Sequence, residues 1–308
     1  MNLKKPKFWD SKKPNVIAYI LFPLAFLIQF FISNSKKNNL KKFKIKTICV
    51  GNIYLGGTGK TSLSIKLNQL LMKEKIKSCF IKKFYNNQLD EQKLLKSKGK
   101  LFVSHKRIEA IKQAESENYD IAILDDGLQD NTIKYDLSFV CFNNINWIGN
   151  GMTIPSGPLR EKVENLRKYH HIFLNGNLEN LDFLKKEVLK INPQITIHVG
   201  KYKPVNIENF KKDENYLIFS GIGNHKTFLS MIKNYGLNVL KDMEFPDHYN
   251  YKSDDIEKIF NEAEKLNCKI ITTEKDYFRL NNVYLNKILY IKTELQIIDE
   301  EKLVKAII

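Results

Sequence analysis

The stretch from Thr47 to Thr61, TICVGNIYLGGTGKT, constrains this chain more than any other. It opens with Ile48-Cys49-Val50, a short apolar run suited to a buried strand. It bends through Gly51, Gly56, Gly57 and Gly59 and ends in Gly59-Lys60-Thr61. Leu63, Leu67, Leu70 and Leu71 follow at a spacing close to one face of a helix. Strand, glycine loop, Lys-Thr and helix, in that order, are the context of a phosphate-binding P-loop. Backbone N–H groups of Gly56, Gly57, Thr58, Gly59 and the helix start would surround phosphate oxygens. Lys60 would reach the outer phosphates, and the Thr61 hydroxyl would meet Mg²⁺. The strict pattern has glycine at position 54, where this chain has Tyr54. A glycine turn without a ligand is the plainer alternative; motif and context together favour a nucleotide.

The 308 residues give room for one large or two ordinary domains. A hydrophobic content of 43% excludes wholesale disorder. A formal net charge of +16 calls for an anionic partner or surface: nucleic acid, an anionic bilayer or a phosphorylated substrate. The excess is nearly all lysine, since Arg107, Arg160, Arg167 and Arg279 are the only arginines. Lysine beside abundant asparagine also follows from genomic base bias, so charge alone is a weak signal. No zinc spacing, helix-turn-helix pattern or aromatic-basic ribonucleoprotein stretch supports a nucleic-acid partner. Cys49, Cys79, Cys141 and Cys268 sit in separate apolar runs, as reduced core residues do, without the spacing of a zinc site or disulfide frame.

Val16 to Ile32, VIAYILFPLAFLIQFFI, is strongly apolar but short of the roughly 20 residues of a spanning helix, and Pro23 and Gln29 interrupt it. Lys4, Lys5, Lys7, Lys12 and Lys13 precede it; Lys36, Lys37, Lys41 and Lys42 follow. Lysines on both flanks fit a helix lying in the interface of an anionic membrane. A span, which favours lysine on one side, and a buried soluble helix are the alternatives. Beyond the P-loop, strands are expected at Ser78–Phe84 and Leu101–Val103, with a polar loop at 85–91 between them and a helix over 105–117. Ile121–Leu124 runs into Asp125-Asp126-Gly127, the pattern of a Walker B strand whose carboxylate meets Mg²⁺. An ordinary Asp-Gly turn is the alternative.

Further strands are expected at Leu137–Phe142, His170–Leu174 and Gln194–Val199, with a helix near 179–190. A long loop at Gly149–Gly157 leads into Pro158-Leu159-Arg160-Glu161 and another helix. This alternation predicts an α/β fold: a P-loop NTPase-type parallel sheet, a second, smaller α/β domain and an N-terminal membrane-associated helix. The lysine- and asparagine-rich stretch Lys201–Asn215 marks a boundary. Three parts are expected: residues 1–35, a membrane-associated segment; 36–205, the P-loop domain; and 206–308, the smaller domain, with a helix over 253–266 and a strand at Lys269–Thr272. There, Ser220-Gly221-Ile222-Gly223 reads as a tight strand-to-helix turn, not a second nucleotide site.

Seven stretches, in order, resemble the tetraacyldisaccharide 4′-kinase family of membrane-associated lipid A pathway kinases. They are Val50-Gly51-Asn52 through Gly56–Thr61, Asp125-Asp126-Gly127-Leu128-Gln129, Gly149-Asn150-Gly151, Pro155–Glu161, Ser220–Gly223, Phe245-Pro246-Asp247-His248 and Thr273-Glu274-Lys275-Asp276. The chain departs from the family pattern at Lys82–Asn87, where the family has Arg-Gly-Tyr-Gly-Gly. It departs again at Leu89-Asp90-Glu91-Gln92, in place of Gly-Asp-Glu-Pro, and at Asp130, in place of histidine.

The resemblance implies ATP-dependent phosphoryl transfer to the 4′-hydroxyl of a tetraacyldisaccharide 1-phosphate, forming lipid IVA for lipopolysaccharide. It implies ATP and Mg²⁺ as cofactors. Asp90 aligns with the family's candidate base and His248 with its partner. Lys60 joins them in catalysis; Thr61, Asp125, Glu91 and Glu161 form the metal shell; Asp126, Gln129 and Arg160 complete the site. Read on their own, Asp90 is a helix cap before Leu94-Leu95, His248 packs on Tyr249 and Tyr251, and Arg160-Glu161 begins an exposed helix. The expected setting is a monomer on the cytoplasmic face of the bacterial inner membrane, held by the anionic surface and its acylated substrate. The rival reading is a membrane-associated regulatory P-loop ATPase. Such proteins carry Lys immediately before the Gly-Gly of the loop, where this chain has Leu55.

Overall fold

A computed structural model describes residues 5–34, 40–247 and 249–308. The chain divides into two units, one of Lys5–Gly200 with Ile297–Ile308 and one of Lys201–Gln296. Residues 297–308, expected in the smaller domain, therefore belong with the first unit. The chain runs α1 (Val16–Asn34), β1 (Lys46–Gly51), α2 (Lys60–Lys73), β2 (Ser78–Lys83), α3 (Leu89–Lys98), β3 (Leu101–Ser104), α4 (Arg107–Ser116), β4 (Ile121–Asp125), β5 (Leu137–Asn143), β6 (His171–Asn175), α5 (Leu181–Ile191) and β7 (Thr196–Pro204). It continues with β8 (Asn215–Ser220), α6 (His225–Asn234), β9 (Asn238–Glu244), α7 (Ser253–Lys265), β10 (Lys269–Thr273), α8 (Glu274–Tyr277), β11 (Ile288–Ile291), β12 (Thr293–Ile297) and α9 (Glu300–Ile307).

Among the described residues the strands form two sheets, ordered β12-β7-β6-β5-β1-β4-β2-β3 and β11-β10-β8-β9. The pairings from β3 through β7 in the larger sheet are parallel, as are those of the smaller one. Central strands of a parallel sheet are covered on both faces, which is why β4 is apolar from Ile121 to Leu124 and buried at every residue. Ile111 and Ala114 of α4 pack on Cys79, Ile81, Ala122 and Leu124. Leu184 and Val188 of α5 pack on Val140, Phe142, Ile172 and Leu174. Each such Leu, Ile or Val contributes about 1.5–3 kcal/mol on burial. Burial also pushes the thiols of Cys49, Cys79, Cys141 and Cys268 up, so they stay protonated. β1 lies between β4 and β5, so the loop that follows it opens at the carboxyl end of the sheet where strand order reverses.

Two local expectations change. The polar loop expected at 85–91 gives way to α3 from Leu89. Its acidic first turn, Asp90 and Glu91, and basic last turn, Lys96 and Lys98, match the helix dipole, and Leu95 is buried. The helix expected after Glu161 is only a short 3₁₀ turn at Val163–Lys168. The segment before it is pinned elsewhere: Leu55 N donates to Pro158 O at 2.8 Å and Arg160 N to Ile53 O at 2.6 Å.

Helix α1 meets the rest of its unit along a narrow stripe of Ala18, Ala25 and Gln29, and Gln29 Nε2 donates to the Arg160 carbonyl at 3.1 Å. The small residues let the backbone lie close. Away from the stripe the helix is apolar and open, with Val16, Ile20 and Phe31 each more than 70% exposed. Among the described residues no helix is long and apolar enough to cross a membrane. Lys4, Lys36 and Lys37 of the flanking lysines lie outside the described residues.

His171 and His198 occupy neighbouring β6 and β7, with His198 Nε2 3.3 Å from His171 Nδ1 and Phe139 stacked on His171 at 4.6 Å. Burial pushes both imidazoles down to about 4. The unfolded chain binds these protons near pH 6.5 and the folded one refuses them until about 4. Their contribution is therefore fully present above pH 6.5 and declines as pH falls toward 4. Thermal unfolding measured from pH 7.5 to 5 is expected to show a falling Tm, and His198→Gln is expected to flatten that slope.

Candidate active site

The loop after β1 is shaped by glycine and clamped by asparagine. Gly56 and Gly59 have φ of 140° and 80°, conformations open to glycine at no steric cost. Asn52 is fully buried, and its Nδ2 lies 2.6 Å from Tyr54 O, 3.2 Å from Gly56 O and 2.9 Å from Thr58 Oγ1. Asn175, at the end of β6, donates from Nδ2 to Thr58 O at 2.8 Å. Tyr54 explains the departure from the strict motif. It is buried, bridges to Leu159, and donates its hydroxyl to Asp10. Position 54 thus seats the loop on the Pro155–Glu161 segment and the N-terminal residues.

Parallel pairing of β1 with β4 places Val50 opposite Asp125 and so sets Asp125 beside the loop. Thr61 Oγ1 donates to Asp125 Oδ2 at 3.3 Å, and Ser64 Oγ to Oδ1 at 3.4 Å. The next residue, Asp126, has a φ of 60° and a different set of partners. Arg160 Nη1 lies 2.8 Å from Asp126 Oδ1, and Lys60 Nζ 4.0 Å from Oδ2. Burial pulls the Asp126 carboxyl toward its neutral form, but Lys60 and Arg160 outweigh it and hold the group below the usual carboxylate range. Arg107 donates to the Asp126 carbonyl and, at 3.2 Å, to Asp130, the residue that replaces the family histidine.

Gln129 accepts from Arg160 at 3.1 Å and donates to Asn52 O at 3.0 Å and Glu161 at 3.1 Å. Glu161 also accepts from Tyr169 and Asn165, both at 2.8 Å. Its carboxylate is thereby engaged in holding the Arg160 segment, whereas Thr61, Asp125 and Glu91 gather around one point.

At that point lies Lys82, which sequence reasoning missed. Its Nζ is 2.6 Å from Asp125 Oδ2 and 2.7 Å from Glu91 Oε2. Burial acts first to strip its proton, but the two carboxylates outweigh that and hold the ammonium well above its usual range. The available signal was a lysine directly after the apolar run Cys79–Ile81, within the expected strand Ser78–Phe84. Asp90 stands beside Glu91 in the first turn of α3, half-buried. His248 lies outside the described residues. Thr61 and Asp125 offer the hard oxygen donors that Mg²⁺ takes. Among the described residues no three His, Cys, Asp or Glu side chains form a protein-only metal cage. An ion here would draw its remaining ligands from phosphate and water. Next to Asp126 and Arg160 opens a cavity of about 710 Å³, lined by Ile28 and Ile32 of α1 and by Lys83, Arg107, Gln129 and Asp130.

A family model described as LpxK, tetraacyldisaccharide-1-P 4′-kinase, matches residues 17–308. The chain belongs to this family. A tetraacyldisaccharide 4′-kinase of Pelagibacter ubique (strain HTCC1062) is 56% identical over 308 residues, covering 100% of this chain and 98% of that protein. One from Rickettsia akari (strain Hartford) is 33% identical over 96% of this chain and 94% of its own length. A crystal structure of LpxK from Aquifex aeolicus in complex with ATP shares the fold. Its TM-score is 0.67 at 22% identity, covering 94% of this chain and 98% of that one. These LpxK relatives lend nothing to the regulatory ATPase alternative.

The Asn52 clamp sets a stability expectation for this member of the LpxK family. Asn52→Ala removes the donor shared by three loop acceptors in a buried setting and is expected to lower unfolding free energy by about 1–3 kcal/mol. Urea denaturation measures it.

Proposed function

We propose that this protein catalyses the reaction named for its family, transferring the γ-phosphoryl group of ATP to the 4′-hydroxyl of a tetraacyldisaccharide 1-phosphate to form lipid IVA. It is then a phosphotransferase with an alcohol acceptor in lipid A synthesis. The observation that carries this reading is the cavity of about 710 Å³, which joins apolar Ile28 and Ile32 to cationic Arg107 and Arg160 beside Asp126. An acylated sugar phosphate is apolar at one end and anionic at the other, and this cavity is lined to match.

The loop N–H groups and Lys60 bind the ATP phosphates. Thr61 and Asp125 are the residues to hold Mg²⁺, which when bound neutralises charge on the outer phosphates. Arg160, oriented by Asp126 and Gln129, contacts phosphate through charge-assisted hydrogen bonds. The acceptor hydroxyl needs a base as its oxygen attacks phosphorus. Asp90 takes that role, with His248 as its partner. Glu91 sits one residue from the base and fixes Lys82. Glu161 supports the segment that carries Arg160.

Each buried CH₂ of an acyl chain contributes about 0.8 kcal/mol, so such a substrate stays in the bilayer and the enzyme must reach it there. The open apolar face of α1 lies in the membrane interface, and lysines on both flanks hold it on anionic headgroups. Use of ATP puts the protein on the cytoplasmic face, acting as a monomer.

In detergent with ATP, Mg²⁺ and a tetraacyldisaccharide 1-phosphate, mass spectrometry is expected to show a product heavier by one phosphate. Lys60→Ala is expected to slow its formation by about a hundredfold or more, and Asp90→Ala by about 10²–10⁴-fold. Near-native rates in both Asp90→Ala and His248→Ala would refute the base assignment. Ile20→Ser with Phe31→Ser should weaken binding to anionic vesicles while leaving Tm unchanged. Added salt should weaken wild-type binding in the same assay. Unaltered vesicle binding by the double variant would remove α1 as the anchor.

A further inference from the structure

Lys82 faces Asp125 because β2 pairs with β4 in parallel, with these two residues opposite each other. Their side chains are 2% and 0% exposed. The ammonium lies 2.6 Å from Asp125 Oδ2 and 2.7 Å from Glu91 Oε2. Asp125 Oδ2 is also the oxygen that Thr61 Oγ1 reaches at 3.3 Å. An ion seated on Thr61 and Asp125 would therefore share its carboxylate oxygen with a cation already in place. Lys82 has little room to withdraw, since its backbone is fixed between β3 and β4 and its stem is packed. The surrounding charges point the same way. Lys60, Lys82 and Arg160 are already paired with Asp125, Asp126 and Glu91 before any ligand arrives. A site so paired offers little attraction to a free divalent ion, whereas triphosphate oxygens would restore negative charge next to Thr61.

We propose that Lys82 is a built-in cation that closes the Thr61–Asp125–Glu91 site to free divalent ions, so that metal enters only together with nucleotide. The proposal rests on the kinase reading for the identity of that nucleotide. Lys82 acts through Asp125 and Glu91 as a positioning residue.

Mn²⁺ is the probe, with bound and free ion distinguished by electron paramagnetic resonance on the full chain. The wild type is expected to bind no Mn²⁺ alone and one ion when a non-hydrolysable ATP analogue is present. Lys82→Met is expected to bind Mn²⁺ without nucleotide, and Asp125→Asn added to it should abolish that binding. Lys82→Arg keeps the positive charge and should keep the dependence on nucleotide. Nucleotide-free binding by the wild type that Asp125→Asn removes would overturn the proposal, even if Lys82→Met fails to fold. So would a folded Lys82→Met that still requires nucleotide. Binding of the analogue in the presence of Mn²⁺ is measured on the same samples. Its loss in the wild type would count against the nucleotide site itself. Retained analogue binding together with nucleotide-free Mn²⁺ binding would count against the Lys82 role alone.

Discussion

The pairing of β1 with β4 is the constraint on which the candidate site depends. It is a backbone ladder between two buried apolar strands, and it sets Val50 opposite Asp125. Without it, the glycine loop and the acidic strand end would be two motifs 64 residues apart in sequence, the separation of Thr61 from Asp125. With it, a hydroxyl and a carboxylate meet at 3.3 Å. The neighbouring ladder between β2 and β4 then adds Lys82 at the same carboxylate oxygen. Two parallel registers thus build an alternation of charge that side-chain flexibility alone would not hold in one geometry.

The site is rigid where it must cradle a ligand, because irregular segments clamp one another. The glycine loop gains its shape from Asn52 and Asn175, side chains that supply the hydrogen bonds a regular ladder would otherwise provide. The Pro155–Glu161 segment is tied to the loop through Leu55 and Ile53 backbone atoms. That tie brings Arg160 to Asp126, and Gln129 and Glu161 brace it. A buried backbone group without a partner costs free energy, so these loops persist as ordered structure only because the accounting closes through side chains.

Helix α1 follows the opposite logic. Its contacts are few and small, and most of its apolar surface is left open. In water such a face is a liability, which is why the proposed reading sets it against a lipid surface. Gln29 links this helix to the Arg160 carbonyl, so the open apolar helix and the arginine beside Asp126 share one hydrogen bond. Ile28 and Ile32 extend the same helix into the wall of the cavity.

Sequence alone determined the class of fold, because strand and helix periods alternate and a glycine loop between a strand and a helix has few structural solutions. Residue type and spacing marked Lys60, Thr61 and Asp125 as candidates, the resemblance added Asp126 and Arg160, and the structure brings these side chains close to one another. The seven ordered stretches pointed to the LpxK family that the comparisons show. Tertiary structure decided what spacing does not encode. Helix α3 begins at Leu89, inside the stretch 85–91 that polar composition read as a loop, so Asp90 and Glu91 stand in its first turn, where acidic groups match the helix dipole. The helix expected after Glu161 gives way to loop-to-loop hydrogen bonds. Residues 297–308 return to the first unit, a long-range choice invisible in local pattern. The roles of Lys82 and Asn52 became visible only there. A lysine in a strand is ordinary until the register of the neighbouring strand places a buried carboxylate opposite it, and that register is a property of the sheet.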